Sequence, residues 1–315
     1  MGIIEVKHLT KKYGECTAVN HISFSVEKGN LLGFLGVNGA GKTTVINMLA
    51  TLLAPDEGEV TICGETLGRN DQNIRRKIGI VYQQNCLDDI LTVEENLLCR
   101  GIVHGITRKE AKEQCTHLRE VLKLNDIMKK RYRLLSGGQK RRAEIAAALM
   151  HTPEILFLDE PTTGLDPATR VDVWNTIATL QKEEKMTVFL TTHYMEEAAG
   201  ADQIIILDHG NIVTSGTPFE LKDQYATDKL KLYGSKENKD GLEQKIKEIL
   251  KTKKYEKAEN TWKVKMLDTE GIEVDIPTTV SAIPILEEIQ PYIDGFEVIQ
   301  GNMDDVFLNA VGMER

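Results

Sequence analysis

A glycine-rich run between an apolar segment and a helical one constrains the fold of this chain more than any other feature. The run 36–44 follows the apolar residues 31–35 and comes directly before a stretch of helical sequence. Its residues are Gly36, Val37, Asn38, Gly39, Ala40, Gly41, Lys42, Thr43 and Thr44. This order fits the pattern GxxxxGK[ST], in which a loop between a strand and a helix surrounds phosphate oxygens with backbone N–H groups. The run therefore predicts a strand, a phosphate-binding loop and a helix.

Two side chains of this loop have the chemistry for a nucleotide bound with magnesium. In such a loop the ammonium group of Lys42 reaches the β- and γ-phosphates, and the hydroxyl of Thr43 can bind Mg²⁺. The N-terminus of the following helix adds the positive end of its dipole. We therefore expect a nucleoside triphosphate and Mg²⁺ at this loop.

A second site element is an apolar run that ends in two carboxylates. Residues 155–158 (Ile-Leu-Phe-Leu) precede Asp159 and Glu160, and α/β sheets place catalytic groups at the carboxyl ends of their strands. Asp159 is expected to hold magnesium, directly or through water. Glu160 is expected to orient and deprotonate the water that attacks the γ-phosphate.

A third element offers a further anion site. Leu135 is followed by Ser136, Gly137, Gly138 and Gln139, just before a predicted helix over 140–150. A hydroxyl and backbone amides at a helix N-terminus bind anions, although Ser136 could also serve as a simple helix cap. An ATPase with one nucleotide does not need two such helix ends, so this site is expected to serve the nucleotide of another subunit.

The pattern along the chain is typical of an α/β fold with a helical insert and a second domain. Apolar runs predict strands at 31–35, 78–82, 155–158, 187–191 and 203–207, as in a mainly parallel sheet buried on both faces. Charged sequence at 84–150 predicts a helical insert, with helices at 94–100 and 109–123. Residues 225–315 are expected to form a small α+β domain, with strands at 229–233, 261–266 and 296–299 and helices around 242–254, 285–289 and 304–311.

Composition limits the partners of the chain. The 315 residues contain 39 Lys and Arg against 48 Asp and Glu, a net charge of −9, which disfavours non-specific binding to nucleic acid. The five cysteines form no CxxC pair, which fits a reducing cytosol. The longest apolar runs are far shorter than the roughly 18 residues of a membrane-spanning helix, so the chain is not expected to cross a bilayer by itself.

In this order and spacing, runs 36–44, 135–139 and 155–160 resemble the nucleotide-binding domains of ABC transporters, and the likeness covers about residues 3–220. It implies a P-loop NTPase core with a mainly parallel sheet, an antiparallel β region and a helical subdomain, here within residues 1–224. It also implies ATP as the nucleotide. Val37 and Tyr82 stand where the family often has proline, but neither side chain carries out chemistry.

The resemblance assigns roles to four further residues. Tyr13 resembles the aromatic residue that stacks on adenine, and Gln83 the glutamine that senses Mg²⁺ and the attacking water. Asp166, in Gly-Leu-Asp-Pro, resembles a contact to the partner subunit, although an Asp-Pro turn is the simpler interpretation. His193 resembles the histidine that bonds the γ-phosphate and holds the water of Glu160.

The family also implies an assembly. Two such domains pair head to tail, so that each ATP lies between run 36–44 of one domain and Ser136 to Gln139 of the other. The helical insert, with Gln83 at its hinge, transmits the conformational change of the ATPase cycle to separate transmembrane permease subunits. These subunits would hold the protein at the cytoplasmic face of a membrane. The tail, which ends with Asp304, Asp305, Val306 and Phe307, is similar to that of drug and ABC-2 type exporter ATPases.

Several alternatives stay open at this point. The sequence does not distinguish a homodimer from a heterodimer, does not identify the substrate, and supports export over import by likeness alone. A soluble ABC ATPase acting on ribosomes or DNA is the competing function. Ribosome-acting members usually carry two ATPase domains in one chain, however, and members acting on DNA ends have long inserted coiled coils. A GTPase switch shares the loop at 36–44, but its guanine-reading pattern Asn-Lys-x-Asp is absent from the sequence.

Overall fold

The computed structural model describes residues 2–234, 239–250, 264–266 and 271–312. Within it the chain forms two compact units, Met1–Pro218 and Phe219–Arg315. The predicted strand at 261–266 lies outside the described residues at positions 261–263, as does the end of the predicted lysine-rich helix, at 251–254.

The first unit is an α/β structure, as the sequence predicts. Its strands are β1 (Ile4–Tyr13), β2 (Cys16–Val26), β3 (Leu31–Leu35), β4 (Glu57–Ile62), β5 (Glu65–Thr66), β6 (Ile78–Val81), β7 (Ile155–Asp159), β8 (Thr187–Thr192), β9 (Gln203–Asp208) and β10 (Asn211–Gly216). Its α-helices are α1 (Lys42–Leu49), α2 (Asp71–Lys77), α3 (Val93–Val103), α4 (Arg108–Val121), α5 (Gly137–Ala148) and α6 (Pro167–Glu183).

A six-stranded sheet forms the centre of this unit, in the order β10-β9-β3-β8-β7-β6. Strands β9, β3, β8, β7 and β6 are parallel, and only β10 runs antiparallel to its neighbour. Every residue of β3, β7 and β8 is buried, because helices cover both faces of a parallel sheet. Phe189 packs against both Phe34 and Phe157, with ring centroids 5.3 and 5.4 Å apart, respectively.

Strand order brings the predicted site residues to one edge of the sheet. Strands β3, β8, β7 and β6 are consecutive neighbours, and their carboxyl ends lead into the loop at 36–44, His193, Glu160 and Gln83, respectively. Since parallel strands end on the same side, segments far apart in sequence meet there.

A second, antiparallel sheet in the order β2-β1-β4-β5 lies beside the phosphate loop. The link is at Gly41, where a Cβ atom would lie 2.4 Å from the backbone oxygen of Ala18 in β2. The positions of β1 and β2 were not predicted, because polar exposed residues interrupt their apolar ones: Lys7, His8 and Lys12 in β1, and Asn20, His21 and Ser23 in β2. Their bulged register further obscures the alternation typical of strands.

The predicted helical insert contains α3, α4 and α5. Capping boxes begin all three helices, with Thr92, Thr107 and Ser136 as the capping residues. The prediction that the last helix begins at Lys140 is wrong: α5 begins at Gly137. Glycine has low intrinsic helix propensity, and here the Ser136 cap outweighs it.

The second unit is a small α+β structure. It contains α7 (Pro218–Tyr225) apart from that helix's first residue, followed by β11 (Asp228–Tyr233), α8 (Lys239–Leu250), β12 (Val264–Met266), β13 (Gly271–Ile276), α9 (Ala282–Ile289), β14 (Gly295–Ile299) and α10 (Met303–Ala310). Its antiparallel sheet has the order β12-β13-β11-β14. Apolar residues of β11, β13, α8 and α9 form its core.

Candidate functional site

The phosphate loop takes a shape that requires glycine. Gly39 and Gly41 have φ angles of +87° and +108°, in the left-handed region that side chains disfavour. At Gly36 a Cβ atom would lie 2.5 Å from the backbone oxygen of Leu207. Gly41 caps α1 without a side-chain bond, so the first amides of that helix have no intrahelical partner. The loop therefore presents free N–H groups and a helix N-terminus, as an anion site does.

Lys42 is buried at the base of this loop, with only 4% of its surface exposed. Its Nζ atom donates to the backbone oxygens of Gly36 at 2.8 Å and Val37 at 3.1 Å. The same atom lies 3.3 Å from Oε1 of Glu160. A buried ammonium needs such partners, and these contacts hold its charge between the loop and β7.

Asp159 collects hydroxyl groups from two other segments. Its Oδ1 atom accepts a 2.7 Å hydrogen bond from Thr191 Oγ1 in β8. The hydroxyl of Thr43 lies 3.3 Å from its Oδ2 atom. A carboxylate and a hydroxyl at the edge of a phosphate loop are the oxygen ligands that Mg²⁺ prefers, so these residues fit the predicted metal.

Glu160 adopts an unusual backbone conformation, with φ at +46°. Its N–H group is held by Thr191, whose Oγ1 and backbone oxygen each lie 3.1 Å away. Left-handed backbone at a non-glycine residue costs about 1 to 3 kcal/mol and is concentrated at functional sites. Thr191 therefore holds the carboxylate of Asp159 and the backbone of Glu160.

Three polar side chains converge on Oε2 of Glu160. Nδ1 of His193 lies 3.1 Å away, Thr163 Oγ1 donates at 3.1 Å and Gln83 Nε2 donates at 3.5 Å. Gln83 is itself anchored from α5, because Arg141 donates to the backbone oxygens of Tyr82 at 2.7 Å and Gln83 at 3.3 Å. The structure thus brings together every residue predicted for hydrolysis.

Ser136 and Gln139 form a separate site on α5. Ser136 Oγ accepts from the Gln139 N–H at 3.4 Å, and Gln139 Oε1 accepts from the Ser136 N–H at 3.1 Å. Gly138 lies against α6, since a Cβ there would be 2.3 Å from Cγ2 of Thr169. Within residues 2–234, no hydrogen bond joins Ser136, Gly137, Gly138 or Gln139 to the phosphate loop, so this helix end is free to face another molecule.

Asp166 and Tyr13 lie away from the carboxylate cluster. Asp166 is the N-cap of α6, where its carboxylate accepts from Thr169 N at 3.1 Å and Thr169 Oγ1 at 2.5 Å. Tyr13 ends β1 opposite Cys16 in the hairpin, with 53% of its surface exposed. That hairpin continues into Ala18, which packs against Gly41. The predictions that Asp166 contacts a partner and Tyr13 contacts adenine stay predictions.

Sequence reasoning missed a second set of residues that connects the turns after β7 and β8. Glu197 accepts hydrogen bonds from Thr162 Oγ1 at 2.5 Å and Thr192 Oγ1 at 2.7 Å. Both hydroxyls are buried. Thr162 lies in a polar turn and Thr192 at the end of an apolar run, so no local pattern relates them to Glu197, and only the three-dimensional contacts identify this cluster.

A groove lies between the edge strand β6 and the helices α3 and α5. Its lining is mostly apolar, and its charged or titratable side chains are of both signs: Arg75, Cys86, Arg100, His104, Glu144 and His151. Tyr82, beside Gln83, also lines it. The groove therefore connects the surface of the helical insert with the residue that contacts Glu160.

Comparison with known proteins gives consistent matches. The family model described as ABC transporter matches residues 19–163. The linearmycin resistance ATP-binding protein LnrL of Bacillus subtilis is 42% identical over 220 residues, 70% of each chain. The daunorubicin/doxorubicin resistance ATP-binding protein DrrA of Streptomyces peucetius is 40% identical over 73% of this chain and 69% of that protein.

Two solved structures are similar to the first unit. One is cbiO1 from Clostridium perfringens, part of the ABC transporter complex cbiONQ, with a TM-score of 0.65 and 26% identity over 70% of this chain and 90% of that chain. The other is a dimeric post-hydrolysis state of the ATP-binding cassette MJ0796 bound to ADP and Pi. Its TM-score is 0.61, with 29% identity over 68% of this chain and 98% of that chain.

In the part of the chain that the structure describes, no helix has the length and apolar character needed to cross a membrane.

Proposed function

This chain belongs to the ABC transporter family and is an ATP-hydrolysing subunit within it. We propose that it drives the export of a small molecule through separate permease subunits. The convergence of Lys42, Gln83 and His193 on Glu160 carries the proposal. This geometry joins the phosphate loop, the helical insert and the candidate base in one cluster.

The proposed chemistry is an in-line attack of water on the γ-phosphate, in which the water oxygen bonds to the γ-phosphorus, the bond from that phosphorus to the β–γ bridging oxygen breaks, and ADP and inorganic phosphate are the products. Glu160 takes a proton from the water at its carboxylate, while His193 and Gln83 hold that carboxylate and the water in position. Lys42 changes partner from Glu160 to the phosphates, which leaves the carboxylate free to act as a base. Mg²⁺, held by Thr43 and Asp159, would neutralise phosphate charge.

The proposed assembly is a pair of these chains, identical or different, related head to tail. In it Ser136 to Gln139 of one subunit face the γ-phosphate bound at the loop 36–44 of its partner. The support is the free helix end at Ser136, which no group of the first unit's own phosphate loop occupies, together with the dimeric state of the MJ0796 cassette.

The proposed output runs through Gln83 to the groove beside β6. Arg141 fixes the backbone at Tyr82 and Gln83, so a change in the contact between Gln83 and Glu160 moves a segment that lines the groove. We assign this groove to the permease. The names of LnrL, DrrA and the Nod factor export ATP-binding protein I of Ralstonia nicotianae support export of a small organic molecule at a membrane.

The test is to capture the complex in its ATP-bound state. When Glu160→Gln is expressed in the native cell and purified with ATP, a membrane protein with several transmembrane helices is expected to co-purify with it. Lys42→Ala, which cannot hold the phosphates, serves as the control and is expected to release it. Recovery of ribosomes or DNA in place of a membrane protein would exclude the transporter assignment.

A further inference from the structure

Tyr194 connects His193 to helix α6. Its ring packs on the imidazole of His193, with centroids 4.1 Å apart and planes inclined by 39°. The guanidinium carbon of Arg170 also lies close to the tyrosine ring, 4.0 Å from its centre. A guanidinium at this distance over an aromatic face makes a cation–π contact.

Arg170 also forms two directed hydrogen bonds. One of its terminal nitrogens donates to Tyr194 Oη at 3.1 Å, and its Nε donates to the backbone oxygen of Leu165 at 3.0 Å. Leu165 directly precedes Asp166, the N-cap of α6. Arg170 therefore joins the turn that contains Asp166 to the ring that packs on His193.

His193 needs such support because burial restrains its side chain only in part. About a quarter of it, 26%, is exposed, and its recorded hydrogen-bond partner among the described residues is Glu160. An imidazole acts on one atom only if its ring is held in one orientation, since a small displacement of a reacting group lowers the rate sharply. Stacking on Tyr194 limits that rotation.

We propose that Arg170 and Tyr194 are positioning residues for His193, which set its imidazole against Glu160 and make its orientation depend on the turn at Leu165 and Asp166. The inference rests on the proposed function, in which His193 and Glu160 act on ATP. It adds a chain of contacts within one subunit. These contacts connect the turn at Leu165 and Asp166, where the partner contact is predicted, to His193 and Glu160.

A merely structural role for the pair predicts a different pattern. If Arg170 and Tyr194 only pack α6 against the turn after β8, their loss lowers stability and impairs the enzyme whether or not residue 193 is histidine. If they act through His193, their effect on the chemical step disappears once the imidazole is gone, since groups that act as a unit are not additive.

The experiment measures single-turnover ATP hydrolysis with enzyme in excess, which makes slow variants measurable. Tyr194→Leu is expected to lower the rate about tenfold, the order of a strong cation–π contact, with unchanged ATP affinity. Tyr194→Phe keeps the ring and is expected to retain most of the rate. In a His193→Ala background, Tyr194→Leu is expected to change the rate by less than about twofold.

Arg170→Gln provides a second route if Tyr194→Leu does not fold, and it is expected to behave as Tyr194→Leu does in both backgrounds. Equal losses with and without His193, or wild-type rates in Tyr194→Leu and Arg170→Gln, would overturn the inference. Lys42→Ala separates this from a failure of the proposed function: if hydrolysis persists in Lys42→Ala, the site assignment itself is wrong.

Discussion

Nδ1 of His193 lies 3.1 Å from Oε2 of Glu160, although the two residues are 33 positions apart. They follow the adjacent parallel strands β8 and β7, in which Thr191 pairs with Asp159. The pairing of two apolar strands thus sets the distance between an imidazole and a carboxylate. Sheet topology, and no short sequence motif, therefore brings these two side chains together.

The first prediction concerns these two side chains. Glu160→Gln keeps the size of the side chain but removes its ability to take a proton, so ATP hydrolysis should fall by at least about 100-fold. ATP binding should be retained.

His193→Ala should also lower turnover, whereas His209→Asn, which changes an exposed histidine after β9, should leave turnover unchanged. Steady-state turnover and nucleotide titration check both, and undiminished turnover in Glu160→Gln would contradict the role of this carboxylate.

The second prediction concerns Thr191, which bonds both Asp159 and the N–H of Glu160. Thr191→Val keeps the shape and removes the hydroxyl, so we expect a loss of about 1 to 3 kcal/mol in unfolding free energy together with weaker magnesium-dependent turnover.

Thr187→Val is the matched control, since it lies in the same strand and removes a buried hydroxyl that accepts from Gly29 N at 3.0 Å. It should lower stability without a specific loss of turnover. Equal activity in the two folded variants would show that Thr191 does not position the carboxylates.

The third prediction concerns the contact between α5 and α6. Gly138→Ala would place a Cβ 2.3 Å from Cγ2 of Thr169, and we expect a stability loss of about 1 to 3 kcal/mol from overpacking. Adding Thr169→Ser removes that methyl group and should restore most of the loss. Gly200→Ala, with no atom within 4 Å of its added Cβ, should have little effect. Denaturant unfolding measures all of these, and an additive double variant would count against the steric explanation.

How much of the fold and of the candidate site could be predicted from the sequence depends on how far apart along the chain the interacting residues lie. The loop at 36–44 was predicted because its glycines and Lys42 act within one short segment. Strands β3 and β7 were predicted because their apolar runs are continuous. Arg170 and Tyr194 were not, since they meet across 24 positions and neither forms a local pattern. The left-handed backbone of Glu160 likewise depends on Thr191 in a neighbouring strand.

The fourth prediction concerns pH. Burial, with a smaller contribution from His104, lowers the pKa of His151 to about 4 from its ordinary 6.5. His151 Nε2 lies 2.9 Å from the backbone oxygen of Ile78, an acceptor, so Nε2 carries the proton and donates. Nδ1 is buried and has no hydrogen-bond partner among the described residues, so a proton added there would be buried and unpaired, which favours the neutral ring.

Between pH 6.5 and 4 the unfolded chain binds a proton at His151 that the folded chain does not. The contribution of His151 to the unfolding free energy is therefore complete above pH 6.5 and is lost as the pH falls toward 4. Allowing for partial exposure, unfolding free energy should drop by about 1 to 2 kcal/mol more from pH 7 to pH 5 in the wild type than in His151→Gln. His209→Asn should leave the pH dependence unaltered. Identical pH profiles for wild type and His151→Gln would contradict the burial effect.

The most direct test of the central claim, a nucleotide site shared between two subunits, is the mass of the protein in ATP measured by light scattering. For a pair of identical subunits, Glu160→Gln in ATP and Mg²⁺ should have twice the mass of the 315-residue chain; for a pair of different subunits, the same measurement is made on this chain mixed with its partner. Adding Ser136→Arg places a bulky cation at the second phosphate site and should give a monomer that still binds ATP. Ser136→Thr, which keeps the hydroxyl cap, should remain a dimer. A dimer that forms equally well with Ser136→Arg would contradict the shared site.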